Sequence, residues 1–397
     1  MASLVHTAGP GSLMARALFG ARTVAWPAVG SLRLDPAPLA DTPPRPELRR
    51  LRVRLGGICG SDLAALRGRS PTVLWPVTSF PSVPGHEILA DDPQAPAGAR
   101  RVVVDPFISC RVRGIEPCPE CARGQTALCR RTAGAGGGID RGLMLGFCRS
   151  LPGAWSEAIW AHPAQLHVVP DDLPDAAAVL TEPLSVAVHA LLQVPWTGAE
   201  RVLVVGGGTI GLCTVAGMQL LGLPAPLVAT RHRQQAAAVA SLGGHPVIGD
   251  PGRWPRMGGA VVAQGWLGRP LWLGGFDVVI DAVGASATLA QAAQAVRAGG
   301  TLVRVGDVGT VPHGRDAGAW IPDVRLLQPF GYGLERLADG TSAHTFDWVL
   351  GRMAAVAGPL GALVTHTYPL GAYRQALAAA AGHGRARSIK VAFRPTA

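Results

Sequence analysis

The stretch "CRVRGIEPCPECARGQTALC", residues 110–129, places four of the chain's seven cysteines, Cys110, Cys118, Cys121 and Cys129, within twenty residues. Thiols gathered this closely suit a tetrahedral metal, zinc above all. A shell closed by four protein ligands leaves no position for substrate. Such an ion is a staple, and the chemistry has to be sought elsewhere. Cys148 and Cys213 have no ligand-like spacing and read as packing residues.

A second pattern lies in "RVLVVGGGTIGLCTVAGMQLLGL" (201–223), where Gly206, Gly208 and Gly211 fit G-x-G-x-x-G. An apolar strand precedes the turn, a helix follows, and "APLVAT" (225–230) supplies a second strand. In that setting the first glycine permits the turn and the second lets a pyrophosphate approach the backbone. The third lets helix and strand pack closely, with the helix N-terminus facing the phosphates. Further strands and helices are expected in "FDVVIDAVG" (276–284), "SATLAQAAQAVRAGG" (286–300, a helix) and "TLVRVG" (301–306).

The second strand also addresses which dinucleotide is bound. A site for NAD normally ends that strand with a carboxylate for the ribose 2′-hydroxyl. Between Glu200 and Asp250 this chain has none, and the strand ends with Thr230, Arg231, His232 and Arg233. Guanidinium groups suit a 2′-phosphate, which they bind through charge-assisted, often bidentate hydrogen bonds. The expectation is NADP(H) over NAD(H).

Three further segments, "GICGSDLAAL" (57–66), "VPGHEILA" (83–90) and "LTEPLSVAVHA" (180–190), complete a pattern. With the nucleotide turn and in this order, the chain resembles the zinc-dependent branch of the medium-chain dehydrogenase/reductase family: the alcohol, sorbitol, threonine and glucose dehydrogenases. The likeness runs from about residue 20 to "SIKVAFRP" (388–395). It is nearest to the polyol and sugar members, because "EPLSVAVHA" stands where classical alcohol dehydrogenases carry a cysteine.

The resemblance implies a catalytic zinc held by Cys59 and His86, with Glu87 or Glu182 as third ligand and one position open. It makes Asp62 the carboxylate behind the histidine and Ser61 the hydroxyl that passes a proton between substrate oxygen and solvent. It also adds Thr209, Ile210, Val283 and Val305 to the nucleotide contacts. The implied activity is hydride transfer between NADP(H) and an alcohol, a polyol or the matching carbonyl compound, in either direction; a non-catalytic nucleotide-binding relative is the alternative. Two departures stand out. Leu63, Ala64 and Ala65 occupy the stretch where many relatives carry a relay histidine, so the proton is expected to leave through Ser61, the ribose hydroxyls or water. The family's structural lobe reads C-x2-C-x2-C-x7-C, and here Ile115 takes the place of its first cysteine. Cys110, five residues further off, is expected to complete the site, because a longer loop costs little closure entropy; the alternatives are a three-cysteine site with another ligand, or a lobe that has lost its metal.

These residues need two kinds of scaffold. The family fold is an α/β Rossmann nucleotide-binding domain, a doubly wound parallel sheet, plus a mainly β, GroES-like catalytic domain. The expected boundaries are 1–180 for the catalytic domain, 181–325 for the NADP-binding domain and 326–397 for a return to the catalytic domain as a helix and a strand. Residues 1–13 are expected to be an unstructured extension, with Met14 as an alternative start. Trp75, Phe80, Phe107, Met144, Phe147 and Trp155 fit either a substrate cleft or the core.

The composition agrees with a globular chain: 397 residues, 48% hydrophobic and only 16% charged, enough for two cored domains. The net charge of +10 is spread along the chain. Its densest run, "RRLRVRL" (49–55), alternates as a half-buried strand does, and no basic face interleaved with aromatics suggests nucleic acid. The basic residues are almost all arginine, Lys390 being the single lysine. The N-terminus lacks a secretory pattern, and the uncharged stretch 202–230 reads as a buried strand–helix–strand. A cytoplasmic protein with reduced thiols is expected, without membrane or nucleic-acid partners, acting on a small molecule. The resemblance implies a homo-oligomer, a dimer or tetramer.

Overall fold

The alternation in "RRLRVRL" sets the register of a strand. In the computed structural model Arg49–Gly57 is extended, with Leu51, Val53 and Leu55 buried, because successive side chains of a strand face opposite ways. This strand lies inside a seven-stranded sheet. It pairs antiparallel with Ile88–Asp91, with Ala158–Ala161 and with Lys390–Phe393. Arg101–Val104 and Leu166–Val168 extend the sheet antiparallel on one side, and Val364–Tyr368 runs parallel to Lys390–Phe393 on the other. The structure describes residues 2–7, 32–36, 42–67, 72–264, 270–306, 323–337, 339–382 and 387–395.

The chain divides into two units, Met1–Glu182 with Tyr332–Ala397, and Pro183–Gly331. In the first, one apolar cluster gathers under the sheet around Leu51, Val53, Ile88 and Val104. A second joins Leu4, Ile58, Trp155, Leu377 and Phe393. Trp155 is fully buried, edge-on to Phe393 at 5.2 Å, and its indole N–H donates to the Gly57 carbonyl at 3.1 Å. Burial of this kind satisfies both the apolar body and the polar tip of the residue. Trp155 and Phe107 are thus core residues, whereas Trp75 is 43% exposed.

The N-terminus corrects one expectation. Ser3–His6 is a strand paired with Leu32–Asp35, and it bridges to Ser82 and Ser156. Leu4 and His6 are buried on alternate positions, so this segment covers apolar surface that an unstructured extension would leave wet. Residues 8–14 lie outside the described residues, as does part of the Pro-rich stretch 35–48.

The second unit holds a six-stranded, all-parallel sheet. Its spatial order is His245–Ile248, Leu227–Thr230, Val202–Val205, Phe276–Asp281, Val296–Arg304, Arg325–Leu327. In chain order that is 3-2-1-4-5-6, the order of the doubly wound dinucleotide-binding fold. The uncharged stretch 202–230 is Val202–Val205, the helix Thr209–Leu220 and Leu227–Thr230. Among the described residues no helix is long and apolar enough to cross a membrane. The helix expected over 286–300 ends earlier, at Ala295, and its last five residues begin the strand Val296–Arg304. The β-branched Val296 and the pair Gly299–Gly300 favour an extended chain over another helical turn.

Candidate metal centres and nucleotide loop

The loop "GICGSD" leaves the strand Arg49–Gly57 and turns into the helix Gly60–Leu66, with Cys59 at its N-cap. The Cys59 amide donates to Asp62 Oδ2 at 3.0 Å. The other oxygen of the same carboxylate lies 3.3 Å from His86 Nδ1. Asp62 therefore closes the helix start and sets a carboxylate beside the histidine ring, while Nε2 faces Ser61, whose hydroxyl is 3.5 Å away. Gly85, at φ +99°, delivers His86: a Cβ there would overlap the indole of Trp155, and only glycine adopts that backbone without strain.

Cys59, His86 and Glu87 each offer a ligand atom, and these atoms lie within 4.8 Å of one another. A thiolate, an imidazole and a carboxylate with the imidazole backed by a second carboxylate form a donor set suited to zinc. Burial disfavours the charged form of His86, yet Asp62 and the Cys59 sulfur outweigh it and raise its pKa. An anionic pocket of this sort also attracts a cation.

The two glutamates weighed as third ligand differ in setting. Glu87 stands in the cluster of three and pairs with the ammonium of Lys390, which also donates to the Ile58 carbonyl at 3.1 Å. Glu182, in the first turn of the helix Thr181–Leu192, is outside that cluster and accepts from the Tyr332 hydroxyl at 3.3 Å. Burial raises Glu182 to about 7, with Glu87 adding to the effect. Tyr332 is fully buried between Phe107 and Phe346, at centroid distances of 5.3 and 4.8 Å.

Cys110, Cys118, Cys121 and Cys129 converge, with ligand atoms within 4.8 Å of one another. Cys118 is pulled down to about 7: burial opposes the thiolate, but the backbone N–H groups of Cys121 and Arg130 and the neighbouring thiols stabilise it. The extra residues between the first two cysteines are tied down. Cys110–Arg113 is a helical turn capped by Ser109. Arg113, fully buried, donates to the carbonyls of Asp140 and Gly142 at 3.0 and 2.8 Å. Ile115, at the position of the missing cysteine, packs against the thiol cluster. Cys148 and Cys213 are wholly buried and are not members of the cluster.

In the second unit, Gly206 has φ +110° and the helix Thr209–Leu220 starts at Gly208 with no side chain capping it. A Cβ on Gly211 would overlap the Gly206 carbonyl, whereas one on Gly208 would meet nothing within 4 Å. Thr209 and Ile210 form the first turn of that helix. Val283 packs over Gly206, and Val305 follows the strand Val296–Arg304. The Asp281 carboxylate accepts from the amides of Val283 and Gly284, both at 3.0 Å, and so shapes the loop. Thr230 ends the strand Leu227–Thr230, and the exposed Arg231 and Arg233 follow, the latter opening the helix Arg233–Ser241. All these groups lie at the carboxyl ends of parallel strands, where open α/β sheets bind ligands.

Lys390 and Tyr332 were not among the residues singled out from sequence. A signal for the first was present: in a chain with 36 basic residues it is the single lysine. Its compact ammonium on a flexible stem reaches the buried Glu87 carboxylate as a point charge. Nothing local in "QPFGYGLER" marks Tyr332.

Residues 46–171 match the model of the alcohol dehydrogenase GroES-like domain. A zinc-binding dehydrogenase of Sinorhizobium meliloti, so described and solved with NADP bound, superposes over 93% of this chain and 97% of its own at TM-score 0.68 and 23% identity. That likeness shows the fold: a Rossmann domain and a GroES-like domain. An uncharacterized zinc-type alcohol dehydrogenase-like protein of Haemophilus influenzae is 32% identical over 44% of this chain, which spans about half, 47%, of that relative's length. The L-threonine 3-dehydrogenase of Chelativorans is 26% identical over 88% of this chain and 92% of its own. Residues 46–171 thus carry the GroES-like domain of alcohol dehydrogenases, and across most of its length the chain is similar to zinc-type alcohol, polyol and threonine dehydrogenases.

Proposed function

We propose that the protein is a zinc-dependent oxidoreductase that transfers a hydride between NADP(H) and an alcohol or polyol, or the corresponding carbonyl compound. The observation that carries this reading is the convergence of Cys59, His86 and Glu87, with Asp62 behind the histidine. Cys59, His86 and Glu87 would hold the catalytic zinc, with Glu182 in reserve behind the Tyr332 hydroxyl. A zinc bound there supplies Lewis acidity toward the substrate oxygen. Asp62 orients the imidazole, and the ammonium of Lys390 pairs with the carboxylate of Glu87. Ser61, exposed and beside His86, passes the substrate proton to solvent in place of the longer relay that Leu63, Ala64 and Ala65 cannot build. Cys110, Cys118, Cys121 and Cys129 would hold a structural zinc that takes no part in the reaction. The residues up to about 180 and beyond about 325 form the catalytic domain, and 181–325 bind the nucleotide.

The direct test follows nicotinamide absorbance with the zinc-replete protein and a panel of alcohols, polyols and carbonyl compounds. Turnover with one class supports the reading; nucleotide binding without turnover on any of them overturns it. With an active substrate in hand, Ser61→Ala should lower kcat on the order of 10²-fold and shift its pH profile, the range lost with a positioned proton carrier. Full kcat with an unchanged profile removes Ser61 from the mechanism.

The choice of NADP(H) is supported by Arg231 and Arg233 at the end of the second strand and by the lack of any carboxylate between Glu200 and Asp250. Losing a charge-assisted hydrogen bond costs about 1.5–3 kcal/mol. Arg231→Ala should therefore raise KM for NADPH about 10–100-fold and leave KM for NADH nearly unchanged. Equal effects on both nucleotides, or none, would exclude a 2′-phosphate role.

A further inference from the structure

A third cluster of metal-binding side chains lies in the first unit, apart from both cysteine-containing sites. His167 sits on the strand Leu166–Val168, His344 is the N-cap of the helix Thr345–Leu350, and Asp347 belongs to the first turn of that helix. Their ligand atoms lie within 4.8 Å of one another. His167 Nδ1 is 2.6 Å from Asp347 Oδ1, and the two imidazoles stand 4.6 Å apart at 25°. The Asp347 side chain is 60% exposed, so the cluster opens to solvent, while His167 is buried and its Nε2 makes no hydrogen bond.

We propose that His167, His344 and Asp347 bind a divalent transition metal. Two imidazoles and one carboxylate, with no thiolate, suit a borderline ion such as nickel, zinc, cobalt or copper rather than calcium or magnesium. His344 has the support that metal-bound histidines need: Asp105 Oδ2 lies 3.6 Å from its Nε2. Drawn in to hydrogen-bond distance, that carboxylate would keep the proton on Nε2 and leave Nδ1 as the metal's ligand. That Nδ1 now accepts only the Phe346 amide, at 3.3 Å, a bond at the long end of the range and easily given up. The third ligand, Asp347, completes one face, and the remaining positions are open to water. An ion at this point would tie the strand Leu166–Val168 to the helix Thr345–Leu350. Phe346 and His344 pack on Tyr332, so the wall behind the Tyr332–Glu182 hydrogen bond would stiffen with it.

The test uses tag-free, zinc-replete protein dialysed against excess nickel alone, with nickel and zinc counted per chain by elemental analysis and Tm read with and without nickel. The expected result is one nickel per chain with zinc retained, and a Tm that rises with nickel. His344→Asn keeps a capping side chain at that position, and Asp347→Ala removes the exposed ligand. Each should abolish the nickel and the Tm rise while zinc content and the nickel-free Tm stay close to wild type. Asp105→Asn should weaken nickel binding about 10–100-fold, as loss of a carboxylate behind a metal-bound histidine does. Failure of the wild-type protein to take up nickel, or nickel that survives both His344→Asn and Asp347→Ala, overturns the site and leaves a histidine–carboxylate network that serves the fold alone.

Discussion

Replacing Cys59 with alanine should cost the protein one zinc per chain and lower turnover by about 10³-fold or more. The loss of metal follows from the donor set. Without the thiolate, His86 and Glu87 remain as two ligands, too few for a site that normally needs three protein donors. The loss of rate follows from the chemistry the metal supplies. Polarising the substrate oxygen contributes several kcal/mol to the transition state, and each ~1.4 kcal/mol is a factor of ten in rate. The cysteines at 110, 118, 121 and 129 are untouched, so the remaining zinc and the Tm of their lobe should persist. Elemental analysis and steady-state kinetics on the same preparation check both halves. A zinc count unchanged by Cys59→Ala would move the catalytic metal to other ligands. Normal zinc loss with unchanged turnover would remove the metal from the reaction.

Lys390→Met should destabilise the protein by about 3–5 kcal/mol, the cost of breaking a buried ion pair from one side. Lys390 and Glu87 are only 2% and 1% exposed. Methionine preserves much of the stem but leaves the Glu87 carboxylate charged and without its cation. The double variant Lys390→Met/Glu87→Gln removes the stranded charge and should recover most of the loss. Denaturant unfolding of the three proteins measures this, read as midpoint at constant slope. A single variant within about 1 kcal/mol of wild type, no better in the double, would mean that the pair lies closer to water than its burial indicates. Zinc content of Glu87→Gln adds a second readout. A site that keeps its metal without the carboxylate does not use Glu87 as a ligand.

Much of the scaffold was legible because short-range rules govern it. The alternation of "RRLRVRL" fixes which faces of that strand are buried, and the glycines of "GGGTIG" mark a strand–turn–helix. The cysteine spacing pointed to one cluster, though Cys110 had to come from further off, and its loop is held by Arg113, a residue that no spacing rule selects. The helix expected through residue 300 shows where local reading fails. "AVRAGG" is compatible with a helix end or a strand start, and pairing with the neighbouring strand decides it. Glu87 and Glu182 could not be separated in sequence, because their difference lies in what each meets across the fold: Lys390, 303 residues away, and Tyr332, 150 residues away. The cluster of His167, His344 and Asp347 was invisible for the same reason, its members being ordinary residues until the chain folds.

The buried ammonium of Lys390 also makes the chain unusual as a reagent target. Acylating probes attack only an unprotonated, accessible amine. The lone ε-amino group is shielded from water, and although burial disfavours its charge, Glu87 holds it protonated, raising its pKa. Native protein should therefore resist modification at this side chain, and the group should react only in molecules that have opened around the metal pocket. The rate at which a peptide bearing acylated Lys390 accumulates becomes a clock for that opening, read without any engineered label.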